Sequence, residues 1–139
     1  MKIQRGGNGL LLIELFIALM FFSLAAAICL QIFIGAHNFS EEASDKSRAA
    51  IESQNIAECF KAAAGDVDEL ARLLGTEANG GAFELWFDSS WNRVPQDGEF
   101  LASFKMTGEA DGLHEASLQI SQADKTLISY DIAAVEVTR

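Results

Sequence analysis

The chain has a single proline, Pro95, and only two cysteines, Cys29 and Cys59, in 139 residues. If one helix carries both cysteines, they lie about 45 Å apart at ~1.5 Å per residue. No disulfide spans that distance within one chain, so both are read as free thiols. Histidine is equally scarce: His37 and His114 stand alone. With no Cys-x-x-Cys and no His pair at helical spacing, no metal centre is expected. Asp88, Asp97 and Asp111 fall at turn positions, but their spacing matches no calcium loop. Catalytic signatures are missing as well. No serine sits in a Gly-x-Ser-x-Gly context, and Gly80-Gly81 is not followed by the Lys-Ser/Thr of a phosphate-binding loop. Glu84 and Glu99 are the nearest thing to a carboxylate pair, and both sit where solvent-facing strand residues are usually charged. His114 opens a strand pattern and reads as a surface residue. No catalytic residue, no cofactor and no enzymatic activity are therefore expected. A second long apolar run is also missing, which excludes a polytopic transporter.

Positive charge is in short supply: 10 Lys and Arg face 20 Asp and Glu, for a net charge of −10. Two of the cations, Lys2 and Arg5, precede the apolar run. Beyond Ala36, 8 basic residues face 19 acidic ones (the totals less Lys2, Arg5 and Glu14), so that portion carries about −11. A phosphate backbone is repelled by such a surface, which disfavours direct nucleic-acid binding.

What the chain does have is one apolar stretch. From Leu10 to Ala36 only Glu14, Ser23, Gln31 and Gly35 are not apolar. As a helix it covers about 40 Å, enough to cross a hydrocarbon core of about 30 Å. Lys2 and Arg5 lie before it, and Glu41, Glu42 and Asp45 lie after it. Positive charge stays on the cytoplasmic side, so the carboxyl-terminal part is expected outside. A signal anchor and a secretory signal peptide are the simplest readings. Ala25-Ala26-Ala27 offers an Ala-x-Ala cleavage site, but apolarity continues past it through Ile34, and Glu14 stands inside what should be an uncharged core. A membrane carboxylate costs about 2.5–3.5 kcal/mol near the bilayer centre and usually has a partner. Cleavage between Gly9 and Leu10 would create one: a new α-amine four residues before Glu14, able to pair with it in the same subunit or a neighbouring one.

A short basic leader, Gly9 at the cut, apolar Leu10, Glu14 and the apolar helix beyond together resemble the type IV prepilin and pseudopilin amino terminus. The resemblance covers roughly residues 5–36. It implies processing after Gly9 by a prepilin peptidase, N-methylation of Leu10, and an assembly role for Glu14 in neutralising a neighbour's amine. The family commonly has Phe after the cut and a polar residue next; here these are Leu10 and Leu11. No proline interrupts Leu10–Ala36, which fits a pseudopilin or minor pilin. The partners implied are other pilin or pseudopilin subunits, an assembly ATPase and a platform membrane protein. The localisation implied is the cytoplasmic membrane, then a cell-surface, periplasmic or cell-wall filament serving DNA uptake, type II secretion or adhesion. The alternative is a membrane-anchored or secreted extracellular binding module.

Past the apolar stretch, Ala49, Ile56, Phe60, Ala63, Val67, Leu70 and Leu74 recur at helical spacing. This predicts an amphipathic helix packed on its own domain. Gly65-Asp66 reads as a break with an N-cap, followed by a short helix Val67–Leu74 that Gly75 ends. Period-two patterns at 83–87, 100–106, 116–121 and 128–132 predict about four antiparallel strands. The turn signals between them are Asn79-Gly80-Gly81, Asp88-Ser89-Ser90, Pro95 to Gly98, Gly108 to Gly112, and Ala123-Asp124-Lys125. The expected class is α+β, with a long amino-terminal helix packed on a small antiparallel β-sheet. The expected organisation is a leader at 1–9, a transmembrane or filament-core helix at 10–36, a helical stalk at 37–75 and a β head at 76–139.

Overall fold

The computed structural model describes residues 7–136; the leader expected at 1–9 lies mostly outside the described residues. The chain divides into two compact units, with the boundary between Glu42 and Ala43. Apolarity ends earlier, at Ala36. The two boundaries differ because packing, not hydropathy, defines a unit, and the first side chain of the helix to be fully buried is Ala49.

The first unit contains the amino-terminal part of helix α1, which runs Gly7–Ala62. From Asn8 to Glu41 every side chain is exposed. Helix forms there because the residues are mostly Leu, Ile, Phe and Ala with no proline, and every interior backbone group finds its partner within the segment. Ser23 is satisfied in the same way, its Oγ donating to the Leu19 carbonyl at 2.8 Å. The helix is long and apolar enough to cross a membrane.

The second unit begins with the amphipathic part of α1. Ala49, Ser53, Ile56 and Phe60 form its buried stripe, and Ala63, just past its end, continues it. Ser53 was not in the expected stripe; it tolerates burial because its Oγ donates to the Ala50 carbonyl at 2.8 Å. The helix ends where expected. Ala64 and Gly65 adopt left-handed conformations (φ 53° and 85°). Their amides return to the Lys61 carbonyl at 3.0 Å and the Phe60 carbonyl at 3.1 Å, the pattern of a Schellman cap. Gly65 has a second reason to lack a side chain: a Cβ there would meet the His114 side chain at 2.4 Å. Asp66 then caps helix α2 (Val67–Leu73), accepting from the Asp68 amide at 2.9 Å and the Glu69 amide at 3.2 Å.

Among the described residues the sheet has five antiparallel strands: β1 (Ala82–Phe87), β2 (Arg93–Val94), β3 (Phe100–Ala110), β4 (Leu113–Gln122) and β5 (Lys125–Val135), in the order β2-β1-β3-β4-β5. The strand beyond the expected four is β2, two residues long and too short to show periodicity. A second difference concerns Gly108, read from sequence as the start of a turn. It lies inside β3 at a register shift between Met106 and Gly108, so the glycine marks a bulge. The turn itself is only Asp111-Gly112, both at positive φ, a two-residue connection whose twist suits a hairpin.

Alternation sorts the faces as expected on three strands. Phe83, Leu85 and Phe87, then Phe100, Ala102 and Phe104, then Ala116, Leu118 and Ile120, are all buried and share one core with Ile56 and Phe60. Phe104 stacks on Phe83 with ring centroids 4.8 Å apart and meets the edge of Phe60 at 5.3 Å. On β5 the expected inward row Ile128, Tyr130 and Ile132 is only partly covered, and Tyr130 is 40% exposed. β5 is an edge strand. A register shift opposite Ile120 and Ser121 inserts Leu127 as an extra residue and turns it into the core instead.

Candidate functional site

Gly9, Leu10 and Glu14 all lie in the first unit, on α1. Leu10 and Glu14 are four residues apart and therefore neighbours on one helical face. Both are exposed, Leu10 at 73%. Between Asn8 and Ser40, Glu14 is the only Asp, Glu, Lys or Arg. His37 comes within 3.3 Å of Glu41 one turn further on, where both are exposed. The arrangement is a lone carboxylate on an uncovered apolar helix. No Lys or Arg accompanies it within the apolar run, and every apolar neighbour from Leu10 to Ile34 is free to contact lipid or other helices.

In the second unit the sequence candidates for chemistry are dispersed. Glu99 accepts from Gln122 Nε2 at 2.7 Å, while Glu84 lies opposite Ser103 in the sheet; they do not form a carboxylate pair. Asp97 and Asp111 occupy positive-φ turn positions, which suit a short polar side chain. Among the described residues no group of three His, Cys, Asp or Glu is placed to hold a metal ion. Cys29 is exposed and Cys59 half-buried, both as free thiols.

His114 requires a correction. It is half-buried rather than a surface residue, and its Nδ1 is buried without a hydrogen-bond partner. β4 starts at Leu113, so His114 falls on the inward row of Ala116, Leu118 and Ile120, and its ring lies over Gly65 where no Cβ stands in the way. It borders an open cleft of about 760 Å³ together with Asp66, Met106, Glu109 and Glu136.

The two tryptophans have opposite placements. Trp91 is a packing residue. Its ring stacks on Phe100 with centroids 4.1 Å apart, and its Nε1 donates to Asp45 at 3.3 Å, fixing the 88–92 loop to α1. Asp88 shapes that loop by accepting from the amides of Ser90 at 2.8 Å and Asn92 at 2.9 Å and from Asn92 Nδ2 at 3.2 Å. The Asn92 amide, with smaller help from the Asn92 side chain and the Ser90 amide, holds the Asp88 carboxyl below its ordinary range. A depressed folded-state pKa stabilises above the unfolded value of about 3.9, and that stability is lost as pH falls through the folded value. Asp88→Asn is therefore expected to lower the melting temperature at pH 7 and to narrow its gap to the parent chain at pH 2–3. Thermal denaturation at the two pH values checks this. Trp86 instead faces away from the core, between the buried Leu85 and Phe87.

No family model, no curated protein and no solved structure matches this chain.

Proposed function

We propose that the chain is a structural subunit of a type IV pilus-like filament, a pseudopilin or minor pilin, that works by assembly and carries no catalysis of its own. The observation behind this reading is Glu14: one carboxylate, a helical turn after Leu10, on an apolar helix whose side chains are all uncovered. A helix built to sit alone in lipid gains nothing from that charge. A helix that leaves lipid to pack among copies of itself gains register from it, because an unpaired buried carboxylate is costly and a neighbour's amine is its natural complement.

On this reading a prepilin peptidase removes the leader after Gly9 and Leu10 becomes the methylated amino terminus. An assembly ATPase and a platform membrane protein draw the subunit from the cytoplasmic membrane into the filament. The folded second unit rides outside as the head. Its 8 basic and 17 acidic residues leave about −9, which favours a scaffolding role over direct DNA capture.

The test is the amino-terminal residue of the mature protein, read by mass spectrometry of material from the native membrane. N-methylated Leu10 is the expected result. Ile28 at the terminus would indicate a secreted protein, and an intact Met1 a simple anchor; either would overturn the filament reading.

A further inference from the structure

We propose that the outer face of the sheet at Trp86 is a binding site for a neutral oligosaccharide. Trp86 lies opposite Val94 of β2 and Leu101 of β3, and all three are half-buried, so they form an apolar row across three strands on the face turned away from α1. The next row on that face is Glu84, Ser103 and Gln119, which is polar. The apolar row is thus a local platform on an otherwise hydrophilic surface.

Two clefts meet at this indole. One, of about 610 Å³, has Trp86 and Leu101 as its apolar surface and Glu99 and Gln122 as its polar one. The other, of about 470 Å³, is lined by Trp86 together with Thr76, Glu84, Arg93 and the inward-facing Leu85. Both volumes lie in the range of about 300–1,000 Å³ usual for small-ligand sites. Two clefts that share Trp86 suit a ligand longer than a single ring.

The chemistry selects a sugar. A pyranose ring presents an apolar C–H face to an indole and a rim of hydroxyls that both donate and accept. Gln122 Nε2 already donates to Glu99 Oε1 at 2.7 Å, which sets the pair in place. The second amide hydrogen, the amide oxygen and the other carboxylate oxygen are left to meet hydroxyls. Arg93 is committed to the Leu74 carbonyl. With 8 basic and 17 acidic residues in 43–139, about −9, acidic polymers are repelled, so the sugar is not an acidic one. Three apolar side chains are too few for a stable protein interface, which needs about 800 Å² from each partner. No basic cluster is present to hold an anionic lipid surface.

The site lies wholly within residues 43–139 and works whether or not the chain polymerises. In a filament, repetition of a weak site would add avidity.

The experiment uses the full chain in micelles of a detergent without a sugar headgroup. It is titrated with β-1,4-linked N-acetylglucosamine hexamer, maltohexaose and dextran sulfate, followed by indole fluorescence and calorimetry. Saturable binding of at least one neutral hexamer is expected, with Kd on the order of 0.1–1 mM, and no binding of dextran sulfate. Trp86→Ala should weaken binding about tenfold or more, and Gln122→Ala should weaken it about threefold to tenfold, each with the melting temperature retained. Three results would each overturn the proposal: neither hexamer binds; both variants bind like the parent chain; or Trp86 proves to drive self-association or attachment to phosphatidylglycerol vesicles while sugars do not bind.

Discussion

Glu14→Ala is expected to leave the protein in the membrane and processed after Gly9, and to lower its incorporation into filaments by about a hundredfold or more. Membrane residence depends on the apolar run, which alanine lengthens by removing its one charge. Processing depends on the residues at the cut, which are untouched. Assembly differs, because on the proposed reading the Leu10 amine enters a bundle of apolar helices and needs a buried acceptor. Removing one partner of a buried ion pair costs on the order of 3–5 kcal/mol, since the remaining charge is left uncompensated. At ~1.4 kcal/mol per factor of ten, that corresponds to at least about a hundredfold. Glu14→Gln is the informative companion. It keeps a hydrogen-bond acceptor but not the charge, so it should retain little of the activity if charge is what matters. The measurement is the ratio of this subunit in sheared filaments to that in membranes, quantified by immunoblot. Unchanged incorporation of both variants would remove Glu14 from any role in assembly.

Phe104→Ala should destabilise the second unit more than any other single side-chain truncation. Phe104 is fully buried at the middle of β3, stacked on Phe83 and edge-on to Phe60, so one ring joins β1, β3 and α1. Loss of a buried phenylalanine costs about 3–5 kcal/mol through lost burial and the cavity left behind. Domains of this size hold only about 5–15 kcal/mol in total. With each kcal/mol shifting the midpoint about 4–8 °C, the melting temperature should fall by roughly 12–40 °C. Near-ultraviolet circular dichroism of the full chain in micelles would record it. Tyr130→Ala serves as the contrast. That side chain sits on the edge strand at 40% exposure, so its loss should shift the midpoint by only a few degrees, about 1 kcal/mol or less. Equal shifts for the two variants would mean that the core is not organised around Phe104.

Elements whose signal is local were legible from the residues. The apolar run, the helical stripe from Ala49 to Ala63, the Gly65-Asp66 break and the inward rows of β1, β3 and β4 all follow from periodicity, capping and propensity, which act within a few residues. β2 was not legible, because two residues carry no period and the strand exists only through its pairing with Trp86 and Phe87. Gly108 was misread as a turn for a similar reason. A bulge and a turn both call for glycine, and only the partner strand distinguishes them.

By itself, then, the sequence determined that one segment can cross a membrane, that Glu14 is the sole charge within it, and that an acidic α+β unit follows. Hydropathy, charge and short-range periodicity are properties of the chain and need no partner to be read. Tertiary structure decided the rest. It placed His114 over Gly65, turned Leu127 inward and left Tyr130 out, made Trp91 a packing residue and left Trp86 on the outer face. Each of those outcomes depends on strand register, and register is set by contacts between residues far apart in the chain.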